Sequence, residues 1–236
     1  MIMMNVTSNS QTEMIFPFKK QQTNLIEKKL NFEIQLASLD SEHRDEIETF
    51  IKQGFLTAYN AKVSITTPHL LALTNGNYKA ALGIRRGHDN LFLEQYISGS
   101  IDQQPVFMDN HIKRQEIVEI SHLFSNAKRF TIPLFMVTAV SLFCHEYKYL
   151  VFSGTEKVIN IIGKSGVPYD VIGIAEQNKI KTSADDWGTY YSTNPKIISV
   201  SLSEVMSLIA KHPLYQKMFQ SLDGQIAKIC QQLRQK

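Results

Sequence analysis

Cysteine is scarce in this 236-residue chain: the two present, Cys144 and Cys230, lie far apart with no metal-ligand spacing around either. That excludes a disulfide framework and a cysteine-held metal, so no metal is expected, and both thiols read as small apolar core residues of a reducing compartment. Charge of one sign is also lacking. With 25 Lys and Arg against 22 Asp and Glu the net charge is +3, too little to argue for a nucleic-acid groove. Long hydrophobic runs are missing too. The longest, 130–144, is about 15 residues and contains Thr131, Pro133, Thr138 and Ser141, short of the roughly 18 to 20 that span a bilayer. The opening Met1-Ile2-Met3-Met4-Asn5 has no charged segment followed by an apolar run, which predicts a cytoplasmic protein.

What is present is ordinary globular usage, 43% apolar and 20% charged, enough for a full core. Residues 1–28, rich in Asn, Gln, Ser, Thr and Lys, read as a flexible N-terminal tail. Alternating Phe32, Ile34 and Leu36 predict a first strand, and Ile47, Phe50, Ile51 and Phe55 a helix ending near Tyr59. Asn75-Gly76-Asn77 turns a hairpin between strands 69–74 and 78–85. Further strands are read at 91–97 and 116–123, a central helix over 130–147, a buried strand at 149–153, and a short helix over 156–164. Strands at 169–175 and 196–200 complete the sheet. Ser201 and Glu204 form a capping-box pattern for a helix stopped by Pro213. A last helix repeats Phe219, Leu222, Ile226, Ile229 and Leu233, a stripe for core packing or for joining two copies into an oligomer. The order describes an α/β (α+β) fold on one central mixed sheet flanked by helices, with a main domain at 29–200 and a C-terminal helical extension at 201–236.

The stretch Gln115-Glu116-Ile117-Val118-Glu119-Ile120-Ser121-His122-Leu123 alternates like a strand yet sets Glu119 among apolar neighbours. A carboxylate that loses hydration has a raised pKa and becomes a candidate general base for an amine. The plainer alternative places Glu119 on the solvent face of an edge strand. Glu94 is the second carboxylate of interest, flanked by Leu91, Phe92, Leu93 and Tyr96. If its strand lies beside that of Glu119, one carboxylate would hold an amine cation and the other take its proton; otherwise Glu94 pairs with Arg85 or Arg86. His122 is either a proton relay or a hydrogen-bonded structural residue. Trp187, Tyr190 and Tyr191 either wall an acyl tunnel or close the sheet as core aromatics.

The element order is that of the GNAT acyltransferases. Members that use acyl-CoA follow the fourth strand with a Gly-rich turn at a helix N-terminus, which binds pyrophosphate. Here Phe124-Ser125-Asn126-Ala127-Lys128-Arg129-Phe130-Thr131 contains no glycine, which argues against ordinary CoA recognition. Four blocks, Ala80-Ala81-Leu82-Gly83-Ile84-Arg85, Leu91-Phe92-Leu93-Glu94-Gln95-Tyr96, Ile117-Val118-Glu119-Ile120 and Trp187-Gly188-Thr189-Tyr190-Tyr191, together resemble the thermostable hemolysin family. That family is similar to the acyl-homoserine-lactone synthases, which acylate an amine from acyl carrier protein. Glu119-Ile120-Ser121-His122 is similar to the Glu-x-Ser-Arg motif of those synthases, with His122 where they carry arginine, and Arg85-Arg86 falls near another of their arginines.

The resemblance implies an N-acyltransferase of GNAT-like fold that moves a fatty acyl group to a small amine. Its co-substrate would be an acyl-phosphopantetheine thioester, on acyl carrier protein rather than CoA. Glu119 would be the base, Glu94 would orient the amine, and His122 and Ser121 would complete the motif. Arg85 and Arg129 would face the carrier, and Trp187, Tyr190 and Tyr191 would bound the acyl site. Competing expectations are a membrane-damaging protein, as the family name says, and a GNAT fold that only binds ligand.

Overall fold

A computed structural model describes residues 32–180 and 186–234. The tail predicted at 1–28 lies outside the described residues. β1 (Glu33–Ala37), α1 (Arg44–Tyr59), β2 (His69–Asn75) and β3 (Asn77–Arg86) come first, followed by the short α2 (Pro105–Met108). Then come β4 (Ile117–Ser125), α3 (Lys128–Phe143), β5 (Tyr149–Gly154), α4 (Glu156–Lys164), β6 (Asp170–Ile174), β7 (Lys196–Ser201), α5 (Leu202–Lys211) and α6 (Pro213–Arg234). The seven strands form one mixed sheet in the order β1-β2-β3-β4-β5-β7-β6, as the fold class read from sequence requires.

Alternation along each strand sends side chains to two cores. On β4, Val118 and Ile120 join a cluster with Leu134 and Val137 of α3 and Phe219 and Ile229 of α6. Ile117 points the other way, into a cluster with Ile47, Ile51 and Phe55 of α1 and with Trp187, Tyr190 and Tyr191. α3 is apolar nearly all round because it lies between the sheet and α5 and α6. It begins two residues earlier than the sequence predicts, so Pro133 falls inside the helix, where it has no N–H to donate to the Arg129 carbonyl. The α6 stripe that could have joined two copies is buried within the chain: Phe219, Leu222, Ile226, Ile229 and Leu233 all belong to the α3-side core. Cys144 and Cys230, distant in sequence, are half-buried free thiols that lie beside each other where the end of α3 meets α6.

At the outer edge, Gln225 of α6 reaches β1: its Oε1 accepts the Ile34 N–H at 2.6 Å and its Nε2 donates to the Phe32 carbonyl. One side-chain amide thus bonds β1 as a peptide group would.

One predicted element is corrected. Residues 91–97 do not form a strand; Phe92–Tyr96 is a 3₁₀ helix. Leu93 and Tyr96, three apart, share its buried face, and the Glu94 carboxylate accepts the Leu91 N–H at 3.3 Å, capping the turn. The apolar run is too short for periodicity to separate the two readings.

Two departures from regular pairing shape the site. β4 and β5 are parallel and pair over only three positions, Ile117↔Tyr149, Val118↔Leu150 and Glu119↔Val151. Beyond them β4 stays with β3 and β5 stays with β7, so the sheet splits like a V whose apex is at Glu119. Second, β3 advances from Ala81 to Gly83 while β4 goes from Phe124 to Ser121, an extra residue on β4 that makes a bulge. His122 takes a left-handed φ of 52° there.

Candidate active site

The V is a narrow slot, about 60 Å³, lined by Glu119 to Leu123 of β4, Phe152 to Gly154 of β5, Thr155 and Val158, and by the rings of Phe55, Tyr59, Phe92, Tyr96, Trp187, Tyr190 and Tyr191. The splay accounts for its position, since only where two strands part can a cavity pass through a sheet.

Glu119 sits at the apex, 2% exposed. Its two oxygens accept backbone N–H groups from the 3₁₀ turn, Phe92 at 2.8 Å on Oε2 and Leu93 at 2.9 Å on Oε1. Burial pushes its pKa up, and those two amides with the nearby Arg85 charge pull it back, leaving it raised to about 7. The carboxylate is therefore buried in an apolar wall, as one of the two sequence readings held, and not on a solvent face.

Glu94 is not brought to the slot. Its carboxylate is held by the Arg114 guanidinium, with Nη2 to Oε2 at 2.8 Å and Nη1 on the other oxygen, and accepts the Ile101 N–H at 2.8 Å. Burial pushes its pKa up, but the Arg114 and amide hydrogen bonds outweigh that and the net shift is downward. Neither Arg85 nor Arg86 is its partner. Glu94 instead clasps the turn whose amides grip Glu119. Arg114→Ala should cost about 1–2 kcal/mol in stability after solvent screening, read by denaturant unfolding. With the turn loosened, the Glu119 amide bonds weaken, so the pH midpoint of any Glu119-dependent activity should move up from about 7.

Ser121 and His122 do line the slot, and Thr67, which carries no motif of its own, joins them from the loop before β2. Thr67 Oγ1 lies 3.0 Å from Ser121 Oγ and 3.3 Å from His122 Nδ1, and Ser121 Oγ lies 3.0 Å from the same nitrogen. Thr67 fits there because Gly83 has no side chain; a Cβ on Gly83 would fall 2.6 Å from Thr67 Oγ1. Arg85 pairs across the strands with Glu119 and supplies positive charge beside it, while its guanidinium donates to the Asn90 carbonyl and to Thr66. Arg129 lies outside, exposed in the first turn of α3 with its guanidinium 4.7 Å from the Phe130 ring centre.

The aromatic wall is one connected cluster. Trp187 contacts Phe55, Phe92, Tyr190 and Tyr191 with ring centroids 5.4–6.4 Å apart. Tyr96 and Tyr191 share a 2.5 Å hydroxyl bond. The wall is pinned to α1 at Gly188, which has φ +48° and whose absent Cβ would lie 2.1 Å from the Tyr59 carbonyl oxygen. No other residue fits that approach. Phe55, Tyr59 and Arg114 escaped sequence reading because each reaches the site from a distant element without a motif of its own.

The family model for thermostable hemolysin matches residues 37–206, which hold β2 to β7 and α1 to α4. The chain belongs to the thermostable hemolysin family. No curated protein matches it in sequence. Among solved structures it resembles an N-acyl amino acid synthase from uncultured soil microbes, with TM-score 0.50 and 12% identity over 78% of this chain and 98% of that one. It also resembles a CoA-dependent acyl-homoserine lactone synthase solved with SAM and isopentyl-CoA, with TM-score 0.52 and 9% identity over 76% of this chain and 89% of that one. At such identity the likeness establishes the fold that this chain shares with those synthases. Among the described residues no helix is long and apolar enough to cross a membrane, and no His, Cys, Asp and Glu group fits a metal.

Proposed function

We propose that this protein is an N-acyltransferase that moves a fatty acyl group from a phosphopantetheine thioester to a small amine, with Glu119 as general base. The observation that carries the reading is a buried carboxylate, raised to about 7, at the apex of a slot walled by apolar rings. The amine nitrogen attacks the thioester carbonyl, Glu119 accepts the proton the nitrogen sheds, and the C–S bond breaks to release the thiol. Direct attack needs no protein nucleophile, so the Ser121 hydroxyl, 3.0 Å from His122 Nδ1, is not required to act as one. His122 and Ser121 keep the bulged strand in the shape that opens the slot. Glu94 acts as a positioning residue through the 92–96 turn, in place of the amine contact expected from sequence.

The donor is read as acyl carrier protein in preference to CoA. The glycine-free loop before α3 supports this, as does the exposed Arg129 at the same end of the sheet as the slot, where an acidic carrier would meet it. A long-chain N-acyl amine is a surfactant, so membrane lysis in this family would follow from the product. Purified protein is to be incubated with acyl carrier protein or CoA thioesters and a panel of small amines, with free thiol and acylated amine as readouts. Thioester consumption that depends on the amine is expected, faster with the carrier. Absence of turnover with every donor, combined with leakage of liposomes by the protein alone, would overturn the reading in favour of direct membrane damage.

A further inference from the structure

Cys144 and Cys230 are the chain's two cysteines, and the fold sets them side by side although the whole of β5 to α5 lies between them in sequence. His145 Nε2 donates to the Cys230 carbonyl at 2.9 Å, so the residue next to Cys144 grips the main chain at Cys230. Both thiols are half-buried, packed on the rim of the α3-side core with part of their surface open to solvent. Neither lines the slot. Cys144 stands just past the last residue of α3, and Glu146 after it takes a φ of 65°, so Cys144 belongs to a turn and not to a rigid helix.

A thiol attacks as its thiolate, which positive charge and hydrogen-bond donors stabilise. Cys230 has both beside it. Arg234 follows one turn on along α6, and its charge acts on both sulfurs. Ser141, three residues before Cys144 on α3, is 1% exposed, and its hydroxyl lies beside Cys230 with no hydrogen-bond partner. A buried hydroxyl in that position is free to donate to a thiolate. The Cys144 thiol, with Ser141 and Arg234, holds the Cys230 thiol below its ordinary range against the effect of burial, whereas Cys230 and burial push Cys144 up. The two sulfurs are thus unlike: one is primed to attack, the other keeps its proton until it resolves.

We propose that this pair is a modification site at which a peroxide closes a reversible disulfide between the end of α3 and α6. The Cys230 thiolate attacks a peroxide oxygen: the S–O bond forms, the O–O bond breaks, and the departing hydroxide takes a proton to become water. Cys144 then loses its proton and attacks the sulfenic sulfur, forming the S–S bond as the S–O bond breaks and a second water leaves. Two thiols give up two electrons, and one hydrogen peroxide becomes two waters. The sulfurs have only to close to about 2 Å, which the turn at Cys144 permits. The bridge closes a loop of about 85 residues, so it restrains the unfolded chain far more than the native one. The site is independent of the acyltransferase reading.

The full chain, Cys144→Ser and Cys230→Ser are treated with hydrogen peroxide, then unfolded in an alkylating reagent and weighed by mass spectrometry, with a non-reducing gel and thermal unfolding alongside. Wild type should lose both alkylation sites together, stay monomeric, gain about 5–15 °C in Tm, and recover both thiols with dithiothreitol. Cys144→Ser should trap a sulfenic acid at Cys230, captured by dimedone, at least about tenfold faster than Cys230→Ser does at Cys144. Wild-type thiols that both remain alkylatable, a cross-link between two chains, or a bridge that does not raise Tm would overturn the proposal. Equal dimedone capture in the two folded variants overturns the assignment of Cys230 as the attacking sulfur; if a variant does not fold, the wild-type result decides alone.

Discussion

Glu119→Gln should lower kcat for amine acylation by about 10²- to 10⁴-fold while leaving the overall fold intact, since glutamine keeps the shape of the side chain and cannot take a proton. The wild-type rate should rise with pH through about 7, the value to which burial lifts this carboxyl, when the amine chosen has its own pKa far from that range. Stability carries the same signature with opposite slope. The folded pKa of about 7 exceeds the reference value of 4.5, so between those values the native state binds more protons than the unfolded chain. Wild type is thus most stable at the acid end of this window and loses stability as pH rises to about 7, by a few kcal/mol at about 1.4 kcal/mol per pH unit. Glutamine has no such slope, but it presents an NH₂ to one of the two backbone N–H groups that the carboxylate accepts. The variant should therefore be less stable than wild type near pH 5 and gain on it by pH 8. Denaturant unfolding at the two pH values checks this; parallel curves would mean that Glu119 is not buried as a carboxylate.

Trp187→Ala should destabilise the protein by about 3–5 kcal/mol, because it removes the largest ring from a packed cluster that cannot close over the space. For a domain of this size that is a fall in Tm of roughly 6–20 °C. The loss would also reach the chemistry. Trp187 packs on Phe92, whose N–H is one of the two that hold Glu119, and on Tyr191, which lines the slot. A variant rescued by low temperature should still show a raised KM for the acyl donor, whereas a purely structural role would restore KM along with the fold. Trp187→Phe, which returns a ring to the cluster, should recover most of both effects.

Much of this arrangement was legible from the chain, and for identifiable reasons. Strands with clear alternation, the Asn75-Gly76-Asn77 turn and the Ser201 cap are all set by neighbours in sequence, whereas Glu119 stayed open between a buried and a solvent-facing position. The 3₁₀ turn at Phe92–Tyr96 was not, because its conformation depends on Glu94 meeting Arg114, twenty positions on, and on Glu119 receiving its amides. The same limit hid Thr67, whose place beside His122 follows from a bulge and from the missing side chain of Gly83, neither of which has a periodic signature. The central helix, read from 130, starts at Lys128 instead, and Pro133 lies inside it.

The amide of Gln225 has a consequence for the protein's behaviour in a crowded solution. An outermost strand with open N–H and C=O groups is a template on which another chain can build, the first step toward stacked aggregates. By occupying the Ile34 and Phe32 positions, one glutamine blunts that template at little structural cost, so the last helix serves as an edge guard as well as a cover for the core.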